Sequence, residues 1–526
     1  MSAGSKYELL ILLLMATIVL ELIARRLHLP PAAALIVGGL ALAFIPGVPS
    51  IDIDPEMVML IFLPPLLMSS AYFTVWRDFR ENFVEIASLA LGAVVFTTLS
   101  VGIVFHYLLP ELPWAVGFAL GAIVSPPDAV AAGAVLEKIR LPSRVSALLE
   151  GESLVNDASG LVLLRFAVAA ALTGSFSLPE AIGAFTWVTS GGVVLGLLVG
   201  WIGLWVIRRL RDGELIITAT LLLAATSYIA AERLHCSGVL STVTTGLILG
   251  FHQHEMFSAA TRVQAQAFWK ALVFLLESLL FISIGLSVRG VFERIGGFRQ
   301  GADELIVPVT AVVATVILAR FVWLLGTASL KRLLVFCGHP QKESTSLATT
   351  TIISWAGMRG VVTLTGALSL PAQMPGKDIV LIAAFAVIIV TVLVQGSTLA
   401  PLAKCLKVGA DEERLLQANE AAAWKRVAEA QYKAIQTFSP GLDGREKHPR
   451  LLEQYRHRAQ VAAQYEADRE THETIKSDHF KAVLESLQAG RAEILRMHRA
   501  GEIHDRVMRD LEHELDLQEI AAENRL

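Results

Sequence analysis

The stretch EGESLVNDASGLVLL, residues 150–164, sets Glu150, Glu152 and Asp157 into or against a run that otherwise has the apolar character of a membrane helix. A carboxylate at the bilayer centre costs about 2.5–3.5 kcal/mol on insertion scales, so Asp157 calls for a partner or a task. A second acidic motif, SPPDAVA at 125–131, interrupts the preceding apolar segment with two prolines and Asp128. Proline removes an amide donor and disfavours helix at the residue before it. One carboxylate on a helix and another at a break are what a protein needs to hold a small cation or a proton at mid-depth.

Charge is unevenly spread along the 526 residues. Of 44 Lys and Arg, 20 fall after Pro401, and only Arg165, Arg320 and Arg359 sit within apolar segments. A run of about 20 apolar residues spans a bilayer, so residues 1–405 read as a polytopic transmembrane domain and residues 406–526 as a separate soluble tail. The net charge of −4 and the placement of basic residues in loops give no nucleic-acid surface. Cys236, Cys337 and Cys405 are too scattered for a disulfide framework or a metal site and read as free thiols. The first apolar run, 9–22, is followed by Arg25-Arg26 with no small-residue cleavage site, and reads as a retained span rather than a signal peptide.

Thirteen apolar segments begin near Tyr7, Pro31, Glu56, Phe83, Pro113, Arg144, Ala181, Glu214, Gly238, Phe268, Leu305, Ser346 and Asp378. With the N-terminus outside, fifteen basic residues, among them Arg77, Lys138, Arg140, Arg208 and Lys342, fall on one side and six on the other. The positive-inside rule then assigns the richer side, and the tail, to the cytoplasm. The fifth segment is broken at Ser125-Pro126-Pro127-Asp128 and the twelfth at WAGMRG, 355–360. Breaks seven segments apart are where a transporter built from inverted repeats carries its crossed, discontinuous helices. The fold expected is an all-α polytopic membrane protein of about 13 transmembrane helices with two such breaks, plus a helical cytoplasmic tail.

Asp157 reads as the carboxylate that binds a dehydrated monovalent cation or a proton, against the blander alternative of a structural ion pair. Ser153 lies one turn earlier on the same face and offers a hydroxyl. Asp128 and the carbonyl of Pro127 offer further oxygens, the donors that hard cations take. Asp128 is equally suited to cap the second half-helix. Asn156 either orients Asp157 or stabilises the break, and its neutrality leaves one titrating group in the pair. Arg320 would be costly alone in its segment and reads as a structural partner of Glu152. Arg359 faces the ends of the broken half-helices, offsetting their carbonyl-end partial charge. Arg165 reads as snorkelling or locally paired.

Four further features have two readings each. FLPPLLM, 62–68, is a kink or a wall beside the ion site. Gly192, Gly196 and Gly200 permit close helix contact, within the chain or at a dimer seam. His252 and His254 read as solvated, not as a metal site. The tail reads as two or three helices with a hinge at residues 439–444 and another near Pro449.

FLPPLLM, SPPDAVA, EGESLVNDASG, ERLHCSGVLSTVTTGLILG and WAGMRGVV, with ESLLFISIGL more weakly, occur in an order and spacing that resembles the monovalent cation/proton antiporters of the sodium/proton exchanger family, in the bacterial form with a helical tail. The resemblance covers roughly residues 5–405. It implies a homodimer, a dimerisation domain beside a six-helix core, elevator-like alternating access, and an ion site between the two broken helices. On it, Asp157 is the shared cation/proton carboxylate with Asn156, Ser153 and Asp128 around it, Glu152–Arg320 the core ion pair, and Arg359 the residue by the second break. Two departures stand out: Pro127 replaces the family's usual threonine, leaving only a backbone carbonyl, and Ser69 stands where some members carry a glutamate.

The function expected is exchange of Na+, or Li+, for H+ in the cell membrane, one proton per cation, with no cofactor and with lipid as the surroundings. A K+/H+ exchanger is the alternative within transport. A tail-gated cation channel would favour rings of like groups over one compact acidic site. An intramembrane enzyme lacks any serine–lysine, GxGD-like or HExxH constellation.

Overall fold

The apolar runs fold as helices because lipid offers no partner to a bare peptide group, so each backbone amide bonds within its own segment. The computed structural model describes residues 3–27, 29–45, 55–128, 132–133, 142–174, 177–294, 302–336, 346–408, 410–438, 448–467 and 469–523. Every regular element among them is helical, with no strand among the described residues. The chain divides into two compact units, Met1–Gly409 and Ala410–Leu526.

In the first unit, α1 (Ala3–Leu27) ends on Arg25-Arg26. The next helix, α2 (Pro31–Ala43), opens on a proline, where the missing amide would have no intrahelical partner anyway. The FLPPLLM segment is interrupted at Phe62 into α3 (Pro55–Ile61) and α4 (Leu63–Phe73). A short α5 (Trp76–Glu81) leads to α6 (Phe83–Leu108), which contains a π turn at Ser88–Ala93. Then follow α7 (Trp114–Val124), α8 (Ser143–Thr173), α9 (Leu178–Ile207), α10 (Gly213–Arg233), α11 (Gly238–Met256), α12 (Ala259–Arg294) and α13 (Ala302–Phe336). The twelfth segment is split into α14 (Leu347–Trp355) and α15 (Val361–Leu368), and α16 (Lys377–Cys405) carries a second π turn at Thr391–Gln395.

Among the described residues seven helices are long and apolar enough to cross a membrane: α6, α8, α9, α10, α12, α13 and α16. Apolar helices 31–43, 57–73 and 114–124 are shorter. On length and apolarity, then, seven of the thirteen expected spans qualify. Between α7 and α8, residues 129–131 and 134–141, including Lys138 and Arg140, lie outside the described residues, as do Cys337 and Lys342.

Two apolar clusters organise the interior. One is drawn largely from α6, α7, α8 and α16, takes in residues of α2, α4 and α10–α13, and surrounds both broken segments. The other gathers Tyr72 of α4, Leu204 and Ile207 of α9, Ala224 of α10, Leu249 of α11 and Trp269 of α12. The glycine stripe of α9 belongs to the second region. A Cβ on Gly192 would lie 2.7 Å from the Ser237 carbonyl, and one on Gly200 2.7 Å from Ile248, while Thr245 Oγ1 donates to the Gly196 carbonyl at 3.1 Å. The stripe is therefore a contact with α11 of the same chain.

Arg165 is paired, its Nη2 donating to Glu232 at 3.0 Å. His252 hydrogen-bonds the Ile248 carbonyl, and no metal-ligating cluster occurs among the described residues. Cys236 and Cys405 are free thiols. Glu85, at the start of α6, accepts from both Arg144 of α8 and Lys331 of α13 at 2.7 Å, joining three helices at one end of the bundle.

The second unit holds α17 (Ala410–Phe438), α18 (Pro449–Ala467), α19 (Arg469–Arg499) and α20 (Asp505–Glu523). The hinge expected at 439–444 lies outside the described residues. The sequence reading of two or three helices missed the turn after Arg499. There Gly501 takes φ +70° and its N–H bonds the His498 carbonyl, the left-handed cap with which helices commonly stop.

Candidate ion-binding site at two broken helices

Each break is created by residues that cannot continue a helix and is then held by hydrogen bonds from elsewhere. At the first, α7 stops at Ser125 ahead of Pro126-Pro127. Asn156 of α8 donates from Nδ2 to the Pro127 carbonyl at 2.8 Å. Gly160, one turn further along α8, has its missing Cβ directed at the Pro126 ring, so α8 lies directly against the break. At the second, α14 stops at Trp355, and the Arg359 amide donates to Thr391 Oγ1 in the π turn of α16 at 3.0 Å.

The two breaks also bond each other. The Asp128 amide donates to the Met358 carbonyl at 2.7 Å, and Asp128 Oδ2 accepts from the Val361 amide, the first of α15, at 3.3 Å. Asp128 thus caps a half-helix of the other broken segment. Gly360 fits between them because a Cβ there would run into the Asp128 carboxylate. Arg359 is buried, with Nε donating to the Val124 carbonyl at 2.5 Å and Nη1 to the Gly357 carbonyl at 3.0 Å. Those carbonyls belong to the C-terminal ends of α7 and α14, where helix dipoles concentrate negative partial charge.

Glu152 and Arg320 form a buried fork-to-fork pair: Nη1 to Oε1 at 2.5 Å and Nη2 to Oε2 at 2.7 Å. Arg320 Nε adds a bond to the Ile353 carbonyl at 3.1 Å, so the pair ties α8 and α13 to the end of α14. With both oxygens and all three nitrogens engaged, the geometry is of the kind that offsets desolvation best.

Asp157 stands apart from this network. It is 7% exposed and within electrostatic reach of Asp128, yet among the described residues no hydrogen bond or ion pair engages its carboxylate. The buried arginines are committed elsewhere: Arg320 to Glu152, Arg359 to carbonyls. Ser153 is half-buried one turn before Asp157 on α8. Asn156 is fully buried, and its Oδ1 has no partner among the described residues. The Pro127 carbonyl already accepts the Asn156 amide, leaving one lone pair. The structure therefore brings Asp157, Asn156, Pro127 and Asp128 to one junction and keeps Glu152–Arg320 as a separate brace.

Sequence reasoning missed Thr391. It sits in an apolar, β-branched run, AVIIVTVLV, where a threonine carries no signal of a tertiary hydrogen bond. It also missed the direct bonding between the two breaks, which runs largely through backbone.

The family model for sodium/hydrogen exchangers, transmembrane, matches residues 9–405. The chain belongs to the sodium/hydrogen exchanger family. It is thus a multi-pass membrane transporter that exchanges a cation for protons, not an enzyme, as the motif resemblance implied. It is 31% identical to an uncharacterised Na+/H+ exchanger of Mycobacterium tuberculosis over 97% of this chain and 95% of that one. It is 30% identical to a sodium, potassium, lithium and rubidium/H+ antiporter of Bacillus subtilis over 73% of this chain and 60% of the relative. The solved structure of the sodium proton antiporter MjNhaP1 from Methanocaldococcus jannaschii superposes with a TM-score of 0.62, covering 77% of this chain and 99% of that one at 22% identity. That likeness shows a shared exchanger fold.

Proposed function

We propose that this exchanger is a Na+/H+ antiporter in which the Asp157 carboxylate binds either the cation or a proton, never both. One observation carries the reading: Asp157 is a buried acid with no basic or hydrogen-bonding partner among the described residues. Such an acid is costly in a membrane interior unless a mobile positive species neutralises it. Asn156 Oδ1, the Ser153 hydroxyl, the remaining Pro127 lone pair and the Asp128 carboxylate supply oxygens for the cation, Na+ or Li+. Glu152–Arg320 braces the site, and Arg359 compensates the half-helix carbonyl ends. Since Asn156 is neutral and arginine stays charged, one proton exchanges for one cation and turnover is electroneutral.

Alternating access in this reading is of the elevator type, with the broken helices in a moving core and α9–α12, joined by an apolar cluster of their own, in a scaffold. In this reading the protein is a homodimer in the plasma membrane with its N-terminus outside. Residues 1–405 carry transport, and residues 406–526 are a cytoplasmic regulatory tail. K+ is the second reading, favoured by the name of the Bacillus subtilis relative, which includes potassium.

The test is exchange by the purified protein in liposomes, with Na+, Li+ and K+ added in turn. Asp157→Asn should stop exchange without opening a conductance. Exchange surviving that change would end the carboxylate reading. A membrane potential built up during turnover would overturn the one-to-one count.

A further inference from the structure

The buried Thr363 hydroxyl lacks the bond that several other buried hydroxyls of the membrane unit make within their own helix. A serine or threonine in an apolar helix normally hands its proton to a carbonyl one turn earlier. Thr365 does so to Val361 and Val362 at 3.1 Å, Ser354 to Thr350 at 2.8 Å, and Thr391 to Val387 at 2.7 Å. Thr363 is the third residue of α15, so the carbonyls three and four residues back belong to Gly360 and Arg359, in the break. Its hydroxyl is buried, at 1% exposure, and has no hydrogen-bond partner among the described residues. A hydroxyl in that condition is costly unless something visits it.

The direction it faces follows from its neighbours on α15. Val361, roughly opposite on the helix, packs with Val58 and Leu280. Gly366, one turn after Thr363 and on nearly the same side, directs its missing Cβ at Ile123 of α7 and Leu164 of α8, each at 3.5 Å. Leu164 lies two turns beyond Asp157 on one stripe of α8. Moving back one turn on α15 and two on α8 leads from that contact to the junction where Asp128 caps Val361. The Thr363 hydroxyl thus looks toward the helices that hold Asp157 and the unpartnered Asn156 Oδ1.

We propose that the Thr363 hydroxyl is a further ligand of the transported cation, the one side-chain oxygen that α15 contributes opposite the carboxylate of α8. The inference rests on Asp157 being the carrier carboxylate. A neutral oxygen at this position favours the dehydrated cation and does nothing for a bound proton, so Thr363 would set cation affinity and choice among Na+, Li+ and K+ without altering the chemistry at Asp157.

The experiment compares the full-length protein with Thr363→Val, Thr363→Ser and Asp157→Asn in liposomes, reading KM and kcat for each cation. It adds thermal unfolding in detergent with and without cation. Valine keeps the shape and removes only the oxygen. Thr363→Val should raise the cation KM about tenfold, the equivalent of ~1.4 kcal/mol, with kcat little changed. Thr363→Ser should restore the KM. Without cation, Thr363→Val should unfold no earlier than the unaltered chain, since no hydrogen bond is lost. Its stabilisation by added cation should shrink. An unchanged KM in Thr363→Val, beside a silent Asp157→Asn, would sink the Thr363 ligand and spare the carboxylate reading. Early unfolding of Thr363→Val without cation would make the hydroxyl structural and also overturn the proposal. Normal exchange by Asp157→Asn would remove the reading on which it rests.

Discussion

The amide of Asp128 donates to the carbonyl of Met358 at 2.7 Å, so the two interrupted helices are hydrogen-bonded to each other at the point where each has lost its own ladder. The side chain of the same aspartate then accepts from Val361, completing the start of α15. A single residue of one break closes both ends of the other.

Replacing Asp128 separates capping from charge. Asp128→Ala leaves the Val361 amide without its acceptor and should cost ~1 kcal/mol, the usual worth of a helix cap. Asp128→Asn keeps an acceptor oxygen and should unfold close to the unaltered chain. Thermal unfolding in detergent distinguishes them, and equal losses in both variants would mean that the cap contributes nothing.

Gly360 should tolerate no side chain. In Gly360→Ala the new Cβ meets the Asp128 carboxylate, and either the cap or the break must move. Overpacking of this kind costs about 1–3 kcal/mol. Transport should fall with it, measured as cation-dependent proton flux in everted vesicles. Full flux and full stability together would show that the junction is looser than its geometry implies.

The Glu152–Arg320 brace should behave as a pair. Arg320→Met alone strands a buried carboxylate and should destabilise by ~3–5 kcal/mol. Adding Glu152→Leu should recover most of that loss, because two apolar side chains carry no desolvation penalty. Equal instability of the single and double variants would show that the Arg320 bond to the Ile353 carbonyl, and not the ion pair, is what matters.

Acid should loosen the α19–α20 turn of the tail. His498 Nε2 donates to Asp505 Oδ1 at 2.5 Å and holds the Asp505 carboxyl below the usual carboxylate range. A depressed carboxyl stabilises the folded form above its unfolded value, about 3.9, and loses that contribution as pH falls through the lower folded value. Hydrogen exchange in the full-length protein should therefore show residues 500–508 opening below about pH 4, and no further protection gained from pH 5 to 6 through this carboxyl. Asp505→Asn should open the turn at all these pH values.

What could be read in advance divides by physical cause. Asp157, Glu152, Arg320 and Arg359 were legible because ionisable groups in apolar segments are expensive, and each had to find a neutraliser or a role. The breaks were legible because Pro126, Pro127 and the glycines flanking Arg359 cannot sustain a helix. The bond from Arg359 to Thr391 was not, since a threonine in an apolar run looks the same whether it bonds its own helix or another. An aspartate at 128 suits a cap or a ligand, but that it caps α15 across the junction depends on how the two segments cross. In the tail, Gly501 was a stop signal passed over inside a charged stretch that otherwise kept helical spacing.

The fork between Glu152 and Arg320 cancels two charges outright, and Arg359 directs its guanidinium to the Val124 and Gly357 carbonyls. Asp157 is left as a buried carboxylate that no basic side chain among the described residues answers. In the proposed exchange, a core filled by either species would cross the low-dielectric interior with that charge answered. Vacant, it would have to drag an uncompensated negative charge along, and on that proposal the toll would guard against idle strokes that let ions run down their gradients unpaired.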